Sequence, residues 1–145
     1  MFGQFLHLER MYIMTFSLDI KEFAEKTNRN VNDVKQTVAI DLFGSIIKGS
    51  PVDTGRFRGN WNASLNSPDL SASSSIDPSG QGSTSKMAQT IETSTVDDTL
   101  YISNNLPYAQ RLEYGWSKQA PSGMVRVNIA RFQAAIQKAI AKLPK

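Results

Sequence analysis

PVDTGRFRGNW, residues 51–61, decides how this chain folds, because the hydrophobic period changes across it. Upstream, Val31, Val34, Val38, Leu42 and Ile46 recur at helical spacing, which predicts a helix from Asn30 to a stop at Gly49-Ser50-Pro51. Downstream, Phe57, Gly59, Trp61, Ala63 and Leu65 alternate with Arg58, Asn60, Asn62 and Ser64, which predicts a half-buried strand with its aromatics inward. Between them Pro51, Asp53, Thr54, Gly55 and Arg56 read as a structural turn. Asp53 caps it and Gly55 supplies an unusual backbone angle.

The Asp-Thr-Gly triplet is also the one that aspartic proteases use to present a catalytic carboxylate. Half of a homodimeric protease would carry one such triplet, with two carboxylates sharing a proton. There the triplet follows a hydrophobic strand and precedes a small residue; here it follows a helix stop and precedes Arg56. A fixed cation beside the carboxylate favours its ionised form, the opposite of a proton-sharing pair. The turn is the better account, and the chain is read as no enzyme.

Composition narrows the rest. At 145 residues, with 40% hydrophobic and 20% charged side chains, the chain has the length and balance of one globular domain. It has no cysteine, which excludes disulfides and thiolate metal sites, and its single histidine, His7, leaves little for a metal centre or a catalytic triad. No cofactor is expected. No apolar run reaches the roughly 18 residues that span a bilayer, so no membrane is expected as a partner. The first residues lack an early positive charge and a small-residue cleavage site, and are not read as a signal peptide. Residues 1–16 are read as an N-terminal extension, with a second possible start at Met14, and 17–145 as a single domain.

Within that domain, Asp19 and Glu22 form a capping-box pattern for a short helix with Ile20, Phe23 and Ala24 inward. The helix from Asn30 carries a second apolar set, Ile40, Phe43 and Ile47, on its other side, and another subunit is expected to cover it. Residues 66–86 are a polar loop in which 13 of 21 residues are Ser, Thr, Gly or Pro. Ordering such a segment costs on the order of 1 kcal/mol per residue, so an adjacent subunit or ring is expected to hold it. Beyond it come a short helix with Met87, Ala88 and Ile91 on one side, a strand in TLYISNN, and a short helix in NNLPYAQRLEYG that Gly115 ends. The closing helix, residues 124–143, sets Val125, Ile129, Phe132, Ile136, Ile140 and Leu143 on one stripe. The fold class is α+β: a small antiparallel sheet packed against a long helix in the N-terminal half and a C-terminal helix, with a long Ser/Gly-rich loop.

Charge is distributed unevenly along the chain. Residues 66–100 carry 5 acidic and 1 basic side chains, and residues 111–145 carry 1 acidic and 7 basic. Such asymmetry suits contact between unlike surfaces, head-to-tail contact of like copies included; two ordinary solvated faces would read the same way. The basic stripe of the closing helix, with Arg131, Lys138 and Lys142, either faces DNA phosphates or complements the negative end of the helix dipole, and the second is favoured.

Taken together, SPVDTGRFRGNW, the Asp-Pro-Ser-Gly at 77–80, YISNNLPYAQRLEYGWSKQAPSGMVRV and the closing helix resemble the neck and tail-completion proteins of long-tailed bacteriophages, a family of minor tail components. The likeness runs from about Ser17 to the C-terminus, and the two blocks in the right order are more specific than either alone. It implies a structural virion protein made in the host bacterial cytoplasm and placed in the neck, at the head-proximal end of the tail. That protein would form a hexameric or dodecameric ring around the passing genomic DNA, between a head-closure or connector protein and the tail terminator or tail tube. Candidate contacts with a neighbour or partner are Ile40, Phe43, Ile47, Arg58, Trp61, Asp77, Pro78, Tyr108, Glu113, Trp116, Gln119 and Pro121.

Some of these residues have a second reading. Trp116 is an interface anchor or a plain core tryptophan. Tyr108 and Glu113 are expected to tie the short helix to the Asp53–Arg56 turn, with Arg56 or Arg58 pairing with Glu113. The alternative function is a nucleic-acid-binding module using the basic C-terminal helix, although its basic residues lack the interleaved aromatics of a single-strand binder.

Overall fold

The long helix, α1 (Val31–Lys48), starts where the sequence places it. Asn30 is its N-cap, and the Asn30 side chain accepts from the N–H groups of Asn32 and Asp33. A computed structural model describes residues 2–8, 11–17 and 30–141, so the short helix expected from Asp19 lies outside the described residues. The helix ends as Ser50 Oγ donates to the Ile46 carbonyl at 2.8 Å, satisfying one of the acceptors that a helix C-terminus leaves open.

After the turn, Arg56–Gly59 form one helical turn, α2, and only then does strand β3 (Trp61–Leu65) begin. A strand from Phe57 was expected. Phe57 and Trp61 are four residues apart, so they share a face in a helical turn as well as in a strand, and the alternation does not separate the two. Their rings meet edge-on at 5.6 Å.

Strand β4 (Leu100–Asn104) pairs antiparallel with β3, Trp61 opposite Asn104 and Leu65 opposite Leu100. On its other side β4 pairs with β2 (Met11–Ser17), Tyr12 opposite Asn104. With β1 (Phe2–Leu8) the sheet has four strands in the order β1-β2-β4-β3, so residues read as an N-terminal extension supply its other edge.

Three helices follow from the middle of the chain onward. α3 (Gln81–Glu92) packs on α1 and β3; α4 (Ala109–Glu113) is short; α5 (Val125–Ala141) packs on α1. One core results, with Leu42, Phe43, Ile46 and Ile47 of α1 against Met87, Ile91, Ile102, Leu106, Met124 and Ile129. Each such side chain contributes roughly 1.5–3 kcal/mol by leaving water. The small antiparallel sheet with a long helix and a C-terminal helix is therefore the α+β fold that the hydrophobic periods predict.

Two expectations about neighbours change. Phe43 and Ile47 are 1% exposed and Ile40 is half-buried against the same core, so the chain's own elements cover the second face of α1. Trp61 is buried too, its Nε1 donating to Ser50 Oγ at 2.7 Å. The 66–86 segment is held by its own chain. Asn60 donates to the Ser73 carbonyl and accepts from its N–H, Asn105 donates to the Asp69 carbonyl at 2.7 Å, and the segment is helical from Gln81.

Candidate interaction site at the Asp53 turn

Gly55 sets the geometry of the turn. Its φ is 96°, and a Cβ there would stand 2.6 Å from the Pro78 nitrogen. The Gly55 carbonyl accepts from both Gly59 and Asp77 at 2.9 Å, so the 77–80 segment lies directly on the turn. Within the turn Thr54 Oγ1 accepts from the Arg56 N–H at 3.2 Å, and Gly55 is the N-cap of α2 with no side-chain cap bond. Asp53 was expected to cap; it is exposed instead and has no hydrogen-bond or ion-pair partner among the described residues.

Arg58 draws in the ends of three segments. Its guanidinium donates to the carbonyls of Pro78 at 2.7 Å, Lys48 at 2.9 Å and Ser50 at 2.6 Å. Two of these acceptors close α1, where a cation is favoured by the helix dipole. The expected pairing of Arg56 or Arg58 with Glu113 does not form. Arg56 turns to the Ser73 carbonyl, and Glu113 faces the start of α5.

Glu113 is 1% exposed and fully used. Oε1 accepts from the N–H groups of Met124 and Val125, and Oε2 from the N–H and the Nε of Arg126, at 2.9–3.0 Å. A carboxylate there answers the unpaired donors and the positive end of the α5 dipole. Gly123, at φ 82°, lets the chain pass close to Glu113. Arg56 or Arg58 was thus the wrong partner to expect for Glu113, since a cap supplied from another helix leaves no local pattern.

The two sequence blocks meet around this turn. Gln119 pairs with Val52 as a strand would, its amide donating to the Val52 carbonyl at 3.0 Å and accepting from its N–H at 2.9 Å. Asn104, buried, donates to the Phe57 carbonyl at 2.9 Å, and the Tyr108 ring lies 6.0 Å from that of Phe57. Pro51–Phe57, Tyr108, Leu112, Ser117 and Gln119 line a shallow cleft of about 220 Å³, with Asp53 its one carboxylate and Arg56 its one cation. No group of three potential metal ligands occurs among the described residues.

Acidic side chains elsewhere are set by their donors. Burial works against the charge of Asp77, but donors from Ser83, Gly82 and Gly80 outweigh it and hold the carboxyl below the usual range. Lys35 is held below the usual lysine range by burial, which prevails over the attraction of Asp98 and Asp97.

On the outside, Trp116 is 71% exposed and is no core residue; the Arg111 guanidinium lies 4.8 Å from its ring centroid. Arg126 stacks likewise on Tyr114 at 4.3 Å. Two aromatic and basic pairs therefore stack here, between α4, the residues just after it and the start of α5, and neither belongs to the C-terminal stripe. Of that stripe, Arg131 is exposed and reaches Asn128, while Lys142 and the Lys138 side chain lie outside the described residues. Pro121 is exposed, and its carbonyl would stand 2.5 Å from a Cβ on Gly115.

Comparison with protein-family models, curated proteins and solved structures finds no match to this chain.

Proposed function

We propose that this chain is a structural component of a phage neck, a ring that joins head-closure or connector proteins to the tail terminator or tail tube and lets genomic DNA pass. The observation that carries the reading is the convergence of 51–61 and 101–127, the blocks that bear the resemblance, into one bonded unit. Val52 pairs with Gln119, Phe57 with Asn104, and Glu113 caps α5. Residues that could suggest chemistry in isolation are spent on shape: Thr54, Arg58 and Glu113 all serve main-chain groups. The product is a hydrogen-bonded scaffold that presents an aromatic and basic edge, suited to binding another protein surface.

The test is electron microscopy of the purified protein, with its mass by light scattering, alone and mixed with tails that lack it. Rings, or added density at the head-proximal end of the tails, are expected. A monomer that leaves the tails unchanged would remove the proposal.

A further inference from the structure

Large apolar side chains are exposed at Leu70 and Ile76 on the loop, and at Val96, Tyr114 and Trp116. The last three sit at opposite ends of α1, an 18-residue helix roughly 27 Å long. Trp116 belongs to its C-terminal end, since the adjoining Ser117 shares the cleft with Pro51 and Gln119 is paired with Val52. Val96 belongs to its N-terminal end, where Lys35 Nζ donates to the Thr95, Val96 and Asp98 carbonyls.

The two ends are opposite in charge. Arg111 stacks on Trp116, Arg126 stacks on Tyr114 two residues before it and Lys118 follows two residues after it, while the only acidic side chain after Asp98 in the sequence is Glu113, which is buried. Around Val96 stand Asp33, Glu92, Asp97 and Asp98 against the single cation Lys35 among the described residues. Here Asn30, Val31, Asn32, Val96 and Asp97 line an open groove of about 580 Å³. A groove floored by Val31 and Val96 and rimmed by acids at one end, and an aromatic rimmed by cations at the other, are complementary in sign.

We infer that Trp116 of one copy seats in the Val31–Val96 groove of the next, with Arg111 and Lys118 facing Glu92 and Asp97. The contact joins unlike patches, so it is heterologous, and it propagates into a ring when the rotation closes. It rests on the self-assembly proposed above and names the surfaces that make it. A Trp side chain at the centre of a patch with charges at its rim is the arrangement in which one residue carries much of the binding energy.

The chain has no native cysteine, so introduced ones report only on their own sites. Val96→Cys and Lys118→Cys variants are mixed and treated with a short bis-maleimide. A crosslinked pair is expected from the mixture and from neither variant alone; its absence, or equal crosslinking within one variant, overturns the contact. Trp116→Ala is expected to raise the half-assembly concentration at least about tenfold. Asp97→Lys weakens assembly, and adding Lys118→Glu in the same chain restores it. Rings or tail binding without the mixed crosslink would sink this contact and leave the neck reading intact, whereas no assembly and no tail binding would end both. Two results reassign the surfaces and overturn the contact. One is a Val96→Cys thiol that a maleimide cannot reach in the monomer. The other is oligonucleotide binding lost in Trp116→Ala while self-association is unchanged.

Discussion

Glu113 and Arg126 meet at two points: Arg126 Nε donates to the Glu113 carboxylate at 3.0 Å, and Nη2 donates to the Glu113 carbonyl at 2.8 Å. The ion pair is the smaller part of the arrangement, because the Arg126 side chain is 41% exposed while that of Glu113 is 2% exposed and also receives three main-chain N–H groups. Glu113→Gln turns an amide NH₂ toward donors and is expected to cost about 2–4 kcal/mol of unfolding free energy. Arg126→Ala leaves the carboxylate its three main-chain donors and is expected to cost about 1 kcal/mol. Urea unfolding of both variants checks the order; equal losses would mean that the main-chain donors contribute little.

Two glycines are expected to respond with opposite signs. Gly55→Ala forces a Cβ onto the Pro78 nitrogen at 2.6 Å and onto its ring at 2.8 Å, at a φ of 96°. The left-handed backbone alone costs on the order of 1–3 kcal/mol when strained, and the 77–80 segment must also shift. Gly44, inside α1, would place its Cβ 3.9 Å from Met87 Cε, an ordinary contact. Gly44→Ala is expected to stabilise by about 0.5–1 kcal/mol. Thermal midpoints of the two variants decide; a fall in both would mean that α1 and α3 are packed too tightly at Gly44 for a methyl group.

The helices were legible where an apolar stripe and a local cap coincide. Asn30 to Gly49 was readable because the cap and stop lie within the segment, and the strand in TLYISNN because its alternation has no helical competitor. The sequence places the start of α3 beyond residue 86, six residues late, because Gln81–Lys86 are polar and the carboxylate that starts the helix belongs to Asp77. Burial of Phe43 and Ile47 was missed since α3 and α5 arrive from distant sequence. The partners of Glu113, Gln119 and Arg58 were illegible for the same reason: main-chain acceptors and donors carry no side-chain signature, so nothing in the spacing marks them.

Asp77 offers a test in pH. Gly80, the N-cap of α3, has no side chain to cap it, and the Asp77 carboxylate takes that role by accepting the Ser83 N–H at 2.7 Å. Its folded pKa is lowered, so the carboxylate contributes stability that is present above the unfolded value, about 4, and is lost as pH falls through the folded one. Asp77→Asn keeps an acceptor of the same shape and removes the charge. It is expected to lower the thermal midpoint at neutral pH, with the gap to the parent chain narrowing below about pH 4 and closing as the pH falls through the lowered folded value, where the parent carboxylate is itself neutralised. Asp69 and Asp98 shift in the same direction and remain in both proteins, so they cancel in the difference. A gap that stays constant down to the acid limit would mean that α3 uses the shape of the Asp77 acceptor and not its charge.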